Sequence, residues 1–459
     1  MSLEGAKHQK AVQLELLLED RGEAPKVESG SGEAPTVMNV NARLGTDRLM
    51  EEAVGSANVE LALKQVRRNK GSPGVDGMTV DELPHYVAKH WEELRTELLA
   101  GSYQPKPVRR HEIDKEGGGV RVLGIPCVLD RFIQQCILQT LQPRFDPTFS
   151  NHSYGFRPGR GAHQAIIAAH RYIQEGRRWV VDVDLEQFFD RVNHDVLMGR
   201  LSKRIADKRL LRLIRRYLEA GMMASGIVTR REEGTPQGGP LSPLLANVLL
   251  DEVDKELEKR GHAFARYADD SNVYVRSERA GKRVMEALKG LYAKLRLKVN
   301  ESKSAVARVQ DRKFLGYSFL IVKGNEVKIR VAPKALEKMK DRIRQITRRS
   351  GGRSMKMVIS ELRQYLPGWK QYFRLADTPT KFRVLDGWVR HRLRAVQLKQ
   401  WKCGTTAYGK LRARGLSIID ARIVASHMGH WWKASERGTV LKAFPPSYFD
   451  QLGVPRLAA

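Results

Sequence analysis

Two adjacent aspartates between two strand-like runs constrain this chain more than any other feature of its sequence. In residues 265–275, aromatic and β-branched residues flank Asp269 and Asp270. This pattern predicts two strands joined by a tight turn that carries the acids at its tip. Neighbouring carboxylates repel each other unless a cation lies between them, and their oxygens suit Mg²⁺. Because an isolated Asp-Asp pair is more often a solvated turn, its role depends on the rest of the chain.

A second strand-like segment, which ends in acids, lies upstream over residues 179–190. With the two-residue period of a strand, Val180, Asp182 and Asp184 share one face. This strand can therefore bring a third carboxylate to the acidic turn. Three aspartates from two strands are what two Mg²⁺ ions need to activate a primer 3′-hydroxyl and to stabilise the departing pyrophosphate.

This combination resembles the reverse transcriptases, whose palm carries a Tyr-x-Asp-Asp turn and an earlier strand aspartate. The form of the turn at residues 267–270, Tyr-Ala-Asp-Asp, is the usual one in the group II intron-encoded reverse transcriptase-maturases. The resemblance runs from about Asn69 to the C-terminus. The segments that carry it, in the family's order, are residues 71–77, 123–126, 130–131, 153–160, 234–243, 297–303 and 314–317.

The resemblance implies that Asp269, Asp270 and one strand aspartate bind the metal ions and catalyse the reaction. In the family this strand ligand stands five residues before an aromatic residue. Asp184 has that spacing from Phe189, and Asp182, on the same strand face, is the alternative. The resemblance also implies that Phe189 lies beneath the incoming sugar and excludes a 2′-hydroxyl, whereas the plain alternative for this ring is core packing.

Residues 108–125 alternate around three glycines, a pattern that predicts a β-hairpin able to close over a nucleotide. Arg109, Lys115 and Arg121 are evenly spaced along it, and phosphoryl transfer requires cations at the triphosphate. Exposed strand charges are the alternative. In the resembling family this fingers hairpin carries such cations, so the resemblance implies a nucleotide-binding role for all three.

Two further nucleotide contacts are predicted. The loop over residues 236–240 combines two prolines with two glycines, which suits a close approach of backbone to ligand. In the family this loop touches the nascent base pair, which implies a contact from Gln237, although a plain tight turn stays open. Lys303 lies in a basic turn and either contacts triphosphate or template or is a solvated lysine.

The charge of the chain predicts a polyanionic partner. The net charge is +29 and the pI about 10.1, and residues 335–414 hold 21 Lys and Arg against 5 Asp and Glu. Aromatic residues are interleaved there, which favours a nucleic-acid surface over a solvated face. The predicted RNA-binding residues are Lys338, Arg342, Arg348, Arg349, Trp369, Lys370, Tyr372, Arg390, Arg392 and Arg394.

The same region resembles the maturase-specific domain, which also serves as the polymerase thumb. The predicted fold is therefore α+β, a right-hand polymerase with fingers and palm around an antiparallel sheet and a helical thumb. The expected domains are a flexible extension over residues 1–45, fingers and palm over 46–325, the thumb and maturase-specific domain over 326–415, and the end of the maturase region over 416–459.

Several classes of protein are disfavoured. No apolar run is long enough to span a membrane and no signal segment is visible, so we expect a cytoplasmic protein, associated with the nucleoid when it acts on DNA. The three cysteines have no C-x-x-C spacing, which disfavours disulfides and a cysteine zinc site. His427 and His430 lack metal-ligand partners in sequence, so we expect no His-Asn-His nuclease module and priming from an existing DNA end.

The leading hypothesis is an RNA-directed DNA polymerase of a group II intron that binds intron RNA, assists splicing and supports intron mobility. Its implied partners are intron RNA, template RNA, DNA primer, target DNA and deoxynucleoside triphosphates. One alternative is a stand-alone reverse transcriptase used in host DNA repair or phage defence. Another is an RNA-binding splicing chaperone with a vestigial polymerase site, which the intact carboxylates disfavour.

Overall fold

The computed structural model describes residues 47–114, 120–224, 227–229, 233–235 and 238–458. The predicted extension over residues 1–45 lies outside these ranges, as do Lys115, Gln237 and the side chain of Arg121. The chain divides into two compact units between Arg308 and Val309. Among the described residues, 47–308 belong to the first unit and 309–458 to the second.

The first unit combines helices with two small sheets. Its described helices are α1 (Leu49–Ala53), α2 (Ser56–Arg68), α3 (Leu83–Ala100), α4 (Val128–Phe145), α5 (Ala162–Gln174), α6 (His194–Ser202), α7 (Lys208–Glu219), α8 (Ser242–Lys259) and α9 (Glu278–Lys294). Its described strands are β1 (Val108–Asp114), β2 (Val120–Ile125), β3 (Trp179–Val183), β4 (Met222–Ala224), β5 (Ile227–Thr229), β6 (Ala263–Tyr267), β7 (Asp270–Val275) and β8 (Ala305–Arg308).

The sheet that carries the candidate site is antiparallel, with strand order β6-β7-β3-β8. One face buries Val181, Val183 and Val273 in the main core. Helix α9 packs closely on this face at Gly281, where an added Cβ would lie 2.4 Å from Cγ1 of Val306. The glycine therefore allows α9 to approach the sheet closely, and the helix supports the buried face of the sheet.

The second sheet, of order β2-β1-β4-β5, confirms the hairpin predicted over residues 108–125. Strands β1 and β2 pair antiparallel, whereas β1 and β4 pair in parallel. The glycine turn between β1 and β2 lies outside the described residues. The α3 helix, predicted from its apolar spacing, buries Leu83, Val87 and Leu98 and ends at Gly101, whose φ of +68° suits glycine.

The second unit begins with a three-stranded antiparallel sheet of β9 (Lys313–Phe314), β10 (Tyr317–Ile321) and β11 (Val327–Val331). Its described helices are α10 (Pro333–Ile346), α11 (Met355–Tyr372), α12 (Pro379–Gln400), α13 (Gly404–Arg412), α14 (Ile418–Ser426), α15 (Trp431–Ala434), α16 (Gly438–Ala443) and α17 (Pro446–Gln451). The predicted apolar stripe of α10 is confirmed, because Met339, Ile343 and Ile346 are buried.

The division between the units lies earlier than the predicted boundary at residues 325 and 326. The sheet β9–β11 belongs to the helical unit, because Tyr317 of β10 contacts Tyr372 and Phe373 at the end of α11. The described chain is otherwise the predicted α+β fold followed by a helical unit. In the part of the chain that the structure describes, no helix has the length and apolar character that a membrane crossing requires.

Candidate active site and nucleic-acid surface

The two adjacent aspartates lie at a two-residue turn between β6 and β7. Tyr267 pairs with Asp270, so that Ala268 and Asp269 form the turn itself. Ala268 has a φ of +58°, a left-handed conformation that non-glycine residues seldom adopt. Asp269 and Asp270 are both half-buried. The structure therefore places Asp269 at the tip and Asp270 at the first position of β7.

The register between β3 and β7 brings a third aspartate to this turn. Val183 pairs with Ser271, so Asp184 directly follows the last pair of this ladder, while Asp270 directly precedes Ser271 on β7. Asp182 pairs with Asn272, two positions deeper. With its amide nitrogen turned toward the strand, Asn272 donates to Oδ1 of Asp182 at 3.0 Å. Asp184 is thus the strand aspartate beside the turn, whereas Asp182 has a structural hydrogen bond within the sheet.

The segment at residues 297–304 is bound to Asp184. The backbone N–H of Asn300 donates to the carbonyl oxygen of Asp184 at 2.8 Å, and the N–H of Asp184 donates to Oγ of Ser304 at 3.0 Å. Lys303 Nζ lies 3.8 Å from a carboxylate oxygen of Asp184, whose side chain is 45% exposed. This geometry brings the predicted cation Lys303 next to the candidate metal ligand.

Phe189 lies five residues after Asp184, in a short 3₁₀ helix over Phe188–Asp190. Phe188 is buried, whereas Phe189 is half-buried and contacts Phe188 edge to face at 5.1 Å. The backbone N–H of Thr235 donates to the carbonyl of Phe189 at 2.6 Å. The exposed part of the ring therefore faces away from the core, beside the loop that leads to the undescribed Gln237.

A close approach of backbone fixes the far end of that loop. An added Cβ on Gly238 would lie 2.8 Å from the carbonyl oxygen of Gly124, at the end of β2. Gly238 also has a φ of +134°, which favours glycine. The loop is therefore bound to the fingers hairpin at one end and to Phe189 at the other.

The hairpin register pairs Arg109 with Ile125 and Arg121 with Ile113. The Nε of Arg109 is buried and has no hydrogen-bond partner among the described residues, and the same is true of Arg131 in α4. Burial lowers the pKa of Arg131, and the nearby charge of Arg109 lowers it further. Arg131 also donates from Nη2 to the carbonyl of Ser72 at 2.8 Å. Two guanidinium groups, each with an unpaired Nε, therefore lie near each other, an arrangement suited to an anion.

The chemistry of the acidic turn fits a divalent cation only in part. In the described ranges, no three His, Cys, Asp or Glu side chains are arranged to enclose a metal ion. Mg²⁺ commonly binds one or two protein carboxylates and takes its remaining ligands from substrate phosphates and water. The carboxylates beside this turn fit that mode of binding, in which the nucleotide completes the site.

In the second unit, four of the predicted RNA-binding residues make contacts within the protein, and two of these four are buried. Trp369 is buried against Phe373 and Phe382, and Arg394 is 7% exposed with its Nε donating to the carbonyl of Ser435. Burial lowers the pKa of Arg394 to about 10. The prediction that these two residues contact RNA is wrong for this structure, because their side chains lie inside the unit.

Tyr372 and Arg390 are also engaged within the protein. The Tyr372 hydroxyl donates to the carbonyl of Leu315 at 3.0 Å, and the Arg390 side chain is 11% exposed and lies 3.6 Å from Asp450. Both residues are half-buried, so their predicted RNA contacts stay predictions. Charge spacing alone placed Arg390 and Arg394 on the surface, but α12 is buried on more than one side.

The structure shows an alternating array of arginine and tryptophan side chains that we name the Arg–Trp ladder. Its members, from α10, α12, α15 and the segment after α10, are Arg344, Trp388, Arg392, Trp432 and Arg349. Each adjacent pair places a guanidinium carbon 5.4–5.8 Å from a ring centroid. Burial and the charges of Arg349 and Arg344 lower the pKa of Arg392. The ladder therefore concentrates positive charge on aromatic faces, the composition of a nucleic-acid surface.

The remaining predicted RNA contacts lie at the surface to different degrees. Lys338, Arg342, Arg348 and Arg349 are exposed, whereas Lys370 is half-buried and donates to the carbonyl of Arg456 at 3.3 Å. The exposed residues stay predictions, and Lys370 has a contact within the protein.

Sequence reasoning missed the residues that support the acidic turn. Arg266, Asp254 and Asn247 are buried polar residues that contact one another beneath it. Nothing in the periodicity of α8 distinguishes Asn247 and Asp254 from solvent-facing polar residues. The available signal was a charged residue, Arg266, within an otherwise apolar strand.

Comparison with known proteins agrees with this arrangement. Residues 113–319 match the family described as reverse transcriptase (RNA-dependent DNA polymerase), and residues 336–415 match the group II intron, maturase-specific domain. Protein YkfC of Escherichia coli (strain K12) is 34% identical over 288 residues, which cover 54% of this chain and 74% of YkfC. The group II intron-encoded protein LtrA of Lactococcus lactis subsp. cremoris is 36% identical over 196 residues, 42% of this chain and 32% of LtrA.

Among solved structures, a chain of a partial Cas6-RT-Cas1–Cas2 complex is 24% identical, with a TM-score of 0.35. That match covers 54% of this chain and 42% of the other. The order of the two matched domains, and the extent of the match to YkfC, establish the family. The chain belongs to the group II intron-encoded reverse transcriptases and carries their polymerase domain followed by their maturase-specific domain.

Proposed function

We propose that Asp184, Asp269 and Asp270 are the catalytic carboxylates with which this reverse transcriptase copies RNA into DNA. The observation that supports the proposal is the register of β3 against β7, in which Asp184 directly follows the last paired residue of β3 and Asp270 directly precedes the partner of that residue. Backbone pairing therefore brings the end of β3 next to the start of β7, where the acidic turn lies.

These three side chains are the groups that would hold Mg²⁺, and two ions are proposed. The chemistry that the bound ions supply is activation of the primer 3′-hydroxyl and neutralisation of charge on the departing pyrophosphate. The half-buried position of Asp269 and Asp270 limits competition from water while leaving their oxygens accessible. The nucleotide phosphates complete the set of ligands.

The surrounding cations bind the triphosphate in this proposal. Arg109 and Arg131 contribute guanidinium groups whose Nε atoms lack partners among the described residues, and Lys303 contributes an ammonium beside Asp184. The roles of Lys115, Arg121 and Gln237 rest on the family resemblance. Phe189 presents the exposed part of its ring to the sugar and excludes a 2′-hydroxyl.

The Arg–Trp ladder binds intron RNA in this proposal, and that binding assists splicing. Guanidinium groups contact phosphates, and the tryptophan faces stack on unpaired bases. Template RNA, DNA primer and target DNA are the partners of the polymerase domain and of intron mobility. With these partners, the protein works in the bacterial cytoplasm and at the nucleoid.

A single set of preparations tests the proposal. Wild-type protein and Asp269→Asn are assayed for primer extension on an RNA template with Mg²⁺, and for binding and splicing of the intron RNA encoded around the gene. We expect Asp269→Asn to lose extension and to retain RNA binding. Extension that persists in Asp269→Asn would contradict the site, and a flanking sequence that folds into no catalytic intron would favour the stand-alone reverse transcriptase.

A further inference from the structure

The turn that carries Asp269 rests on a buried arginine. Arg266, near the end of β6, is 1% exposed. Its Nε donates to Oδ1 of Asp254 at 2.8 Å, and its Nη2 donates to Oδ2 of the same residue at 2.6 Å. Asp254 lies in α8 and is also 1% exposed. The pair therefore anchors the last part of β6 to the helix beneath it.

The same guanidinium holds the turn directly. Nη1 of Arg266 donates to the carbonyl oxygen of Ala268 at 2.8 Å and to Oδ1 of Asn247 at 3.0 Å. Ala268 is the residue with the left-handed φ of +58°. A residue with a Cβ keeps such a conformation only where the surrounding contacts impose it. The hydrogen bond from Arg266 is such a contact.

The loop at residues 152–155 closes the network from the other side. Nη2 of Arg266 donates to Oγ of Ser153 at 2.8 Å, and Nδ2 of Asn247 donates to the carbonyl of Gly155 at 3.0 Å. An added Cβ on Gly155 would lie 2.2 Å from the backbone nitrogen of Ala268. The turn is therefore packed between this loop and the guanidinium, with no room for an alternative path.

We propose that Arg266, oriented by Asp254 and Asn247, is a positioning residue that fixes the Ala268 carbonyl and thereby the direction of the Asp269 carboxylate. The inference rests on the proposed catalytic role of Asp269. Lysine cannot replace this arginine, because one ammonium group cannot bridge a carboxylate, an amide and a carbonyl that lie in different directions. Arg266 contacts no substrate; it acts through the turn.

The test compares Arg266→Lys with Arg209→Lys. Arg209 holds the buried Asp207 at 3.0 Å and Glu51 at 2.7 Å, and its described contacts lie away from the turn. Both substitutions keep the charge and weaken an ion pair with a buried aspartate. We expect Arg266→Lys to lower kcat about 10- to 100-fold, because a carboxylate displaced by about 1 Å loses alignment with the reacting atoms. Its half-saturating Mg²⁺ concentration should rise, whereas that of Arg209→Lys should not.

Hydrogen exchange, which requires neither bound metal nor catalytic activity, distinguishes a positioning role from general instability. Hydrogen exchange of the metal-free proteins should become faster in residues 264–272 of Arg266→Lys and remain at the wild-type rate there in Arg209→Lys. Ser153→Ala, which removes one hydrogen bond and keeps the ion pair, should shift exchange in the same segment by a smaller factor. This milder variant provides the test if Arg266→Lys fails to fold.

A rescue experiment tests whether Arg266 acts by supporting the conformation of Ala268. Glycine adopts a positive φ without strain, so Ala268→Gly reduces the need for the supporting hydrogen bond. In the Arg266→Lys protein, Ala268→Gly should recover part of the lost kcat. Unchanged exchange in residues 264–272, or an Mg²⁺ dependence shared with Arg209→Lys, would overturn the positioning role. Full extension by Asp269→Asn would instead overturn the proposed catalytic site, so the two failures are distinguishable.

Discussion

The catalytic turn and the Arg–Trp ladder use arginine in opposite ways. At the turn, Arg266 is buried, and a carboxylate, an amide and backbone oxygen atoms accept its hydrogen bonds. In the ladder, Arg344 and Arg349 are exposed and lie against tryptophan rings. A ring face attracts the cation without occupying its N–H groups. The first arrangement gives rigidity. In the second, Arg344 also forms an exposed ion pair with Asp341, and the exposed guanidinium groups are accessible to phosphates.

In the proposed function, one chain combines precise chemistry with binding of a large RNA, and the two uses of arginine suit these two tasks. Alignment of reacting atoms requires carboxylates that do not move, and a buried ion pair in a close-packed site provides that. An RNA surface must accept many backbone geometries, which exposed guanidinium groups on rigid rings permit. Separate mutations should therefore impair the two functions independently.

The largest effect is expected at the metal-binding carboxylates. Asp269→Asn and Asp184→Asn should each lower the rate of DNA synthesis by at least about 10³-fold, because loss of a metal ligand removes several kcal/mol of transition-state stabilisation. Asp182→Asn should lower it by less than about 10-fold, since its hydrogen bond with Asn272 can persist. Single-nucleotide extension rates at saturating Mg²⁺ provide the measurement. A larger loss in Asp182→Asn than in Asp184→Asn would reverse the assignment.

The next largest effect is expected at the half-buried ring of Phe189, in the discrimination between ribonucleotides and deoxyribonucleotides. Phe189→Ala should raise ribonucleotide incorporation relative to deoxyribonucleotide incorporation by roughly 10- to 100-fold, the scale of a steric gate in a small pocket. Ratios of kcat/KM for matched nucleotide pairs provide the measurement. Phe188→Leu is the control, because Phe188 is buried and should change stability rather than the ratio.

Alanine substitutions at two glycines test how closely the acidic turn and the Arg–Trp ladder are packed. Gly155→Ala should lower the free energy of unfolding by about 1–3 kcal/mol, since the new methyl group meets the backbone of the turn. Gly387→Ala, next to Trp388 in α12, meets no atom within 4 Å and should leave stability unchanged or raise it by up to about 1 kcal/mol. Chemical denaturation of each variant provides the measurement. An equal loss of unfolding free energy at both positions would contradict the difference in packing.

The smallest effect is expected in the ladder. Arg344→Gln combined with Arg349→Gln should weaken intron RNA binding and reduce the slope of log affinity against log salt by about 1.4–1.8, at roughly 0.7–0.9 per lost phosphate contact. Lys381→Gln combined with Arg383→Gln removes the same charge from exposed positions of α12 outside the ladder. Binding at several salt concentrations distinguishes the pairs. Equal slopes for both pairs would show a diffuse electrostatic surface.

The sequence predicted the strands and the acidic turn well, because alternation and turn chemistry are local. It also selected Asp184 over Asp182 through a family spacing, and that selection stays a prediction. The residues that hold the turn, Asp254 and Arg266, come from different elements. Their contact depends on how α8 packs on the sheet, which no local pattern contains.

For the RNA surface, the sequence identified the region but not the individual residues at the surface. A high density of arginine and tryptophan in residues 335–414 identified the region. It could not separate the buried Arg394 and Trp369 from the ladder, because α12 is buried on several sides and its apolar residues give no single stripe. Trp432 escaped prediction because it lies beyond that region and meets Arg392 only in the folded unit.

Independence of catalysis and RNA binding is the central claim, and one paired measurement tests it most directly. Intron RNA affinity and primer extension at saturating primer–template are measured on Asp269→Asn and on Arg344→Gln/Arg349→Gln, each beside wild type. We predict that Asp269→Asn binds RNA with wild-type affinity and does not extend the primer, whereas the ladder variant extends at the wild-type rate and binds RNA more weakly. Loss of both functions in either variant would contradict the account.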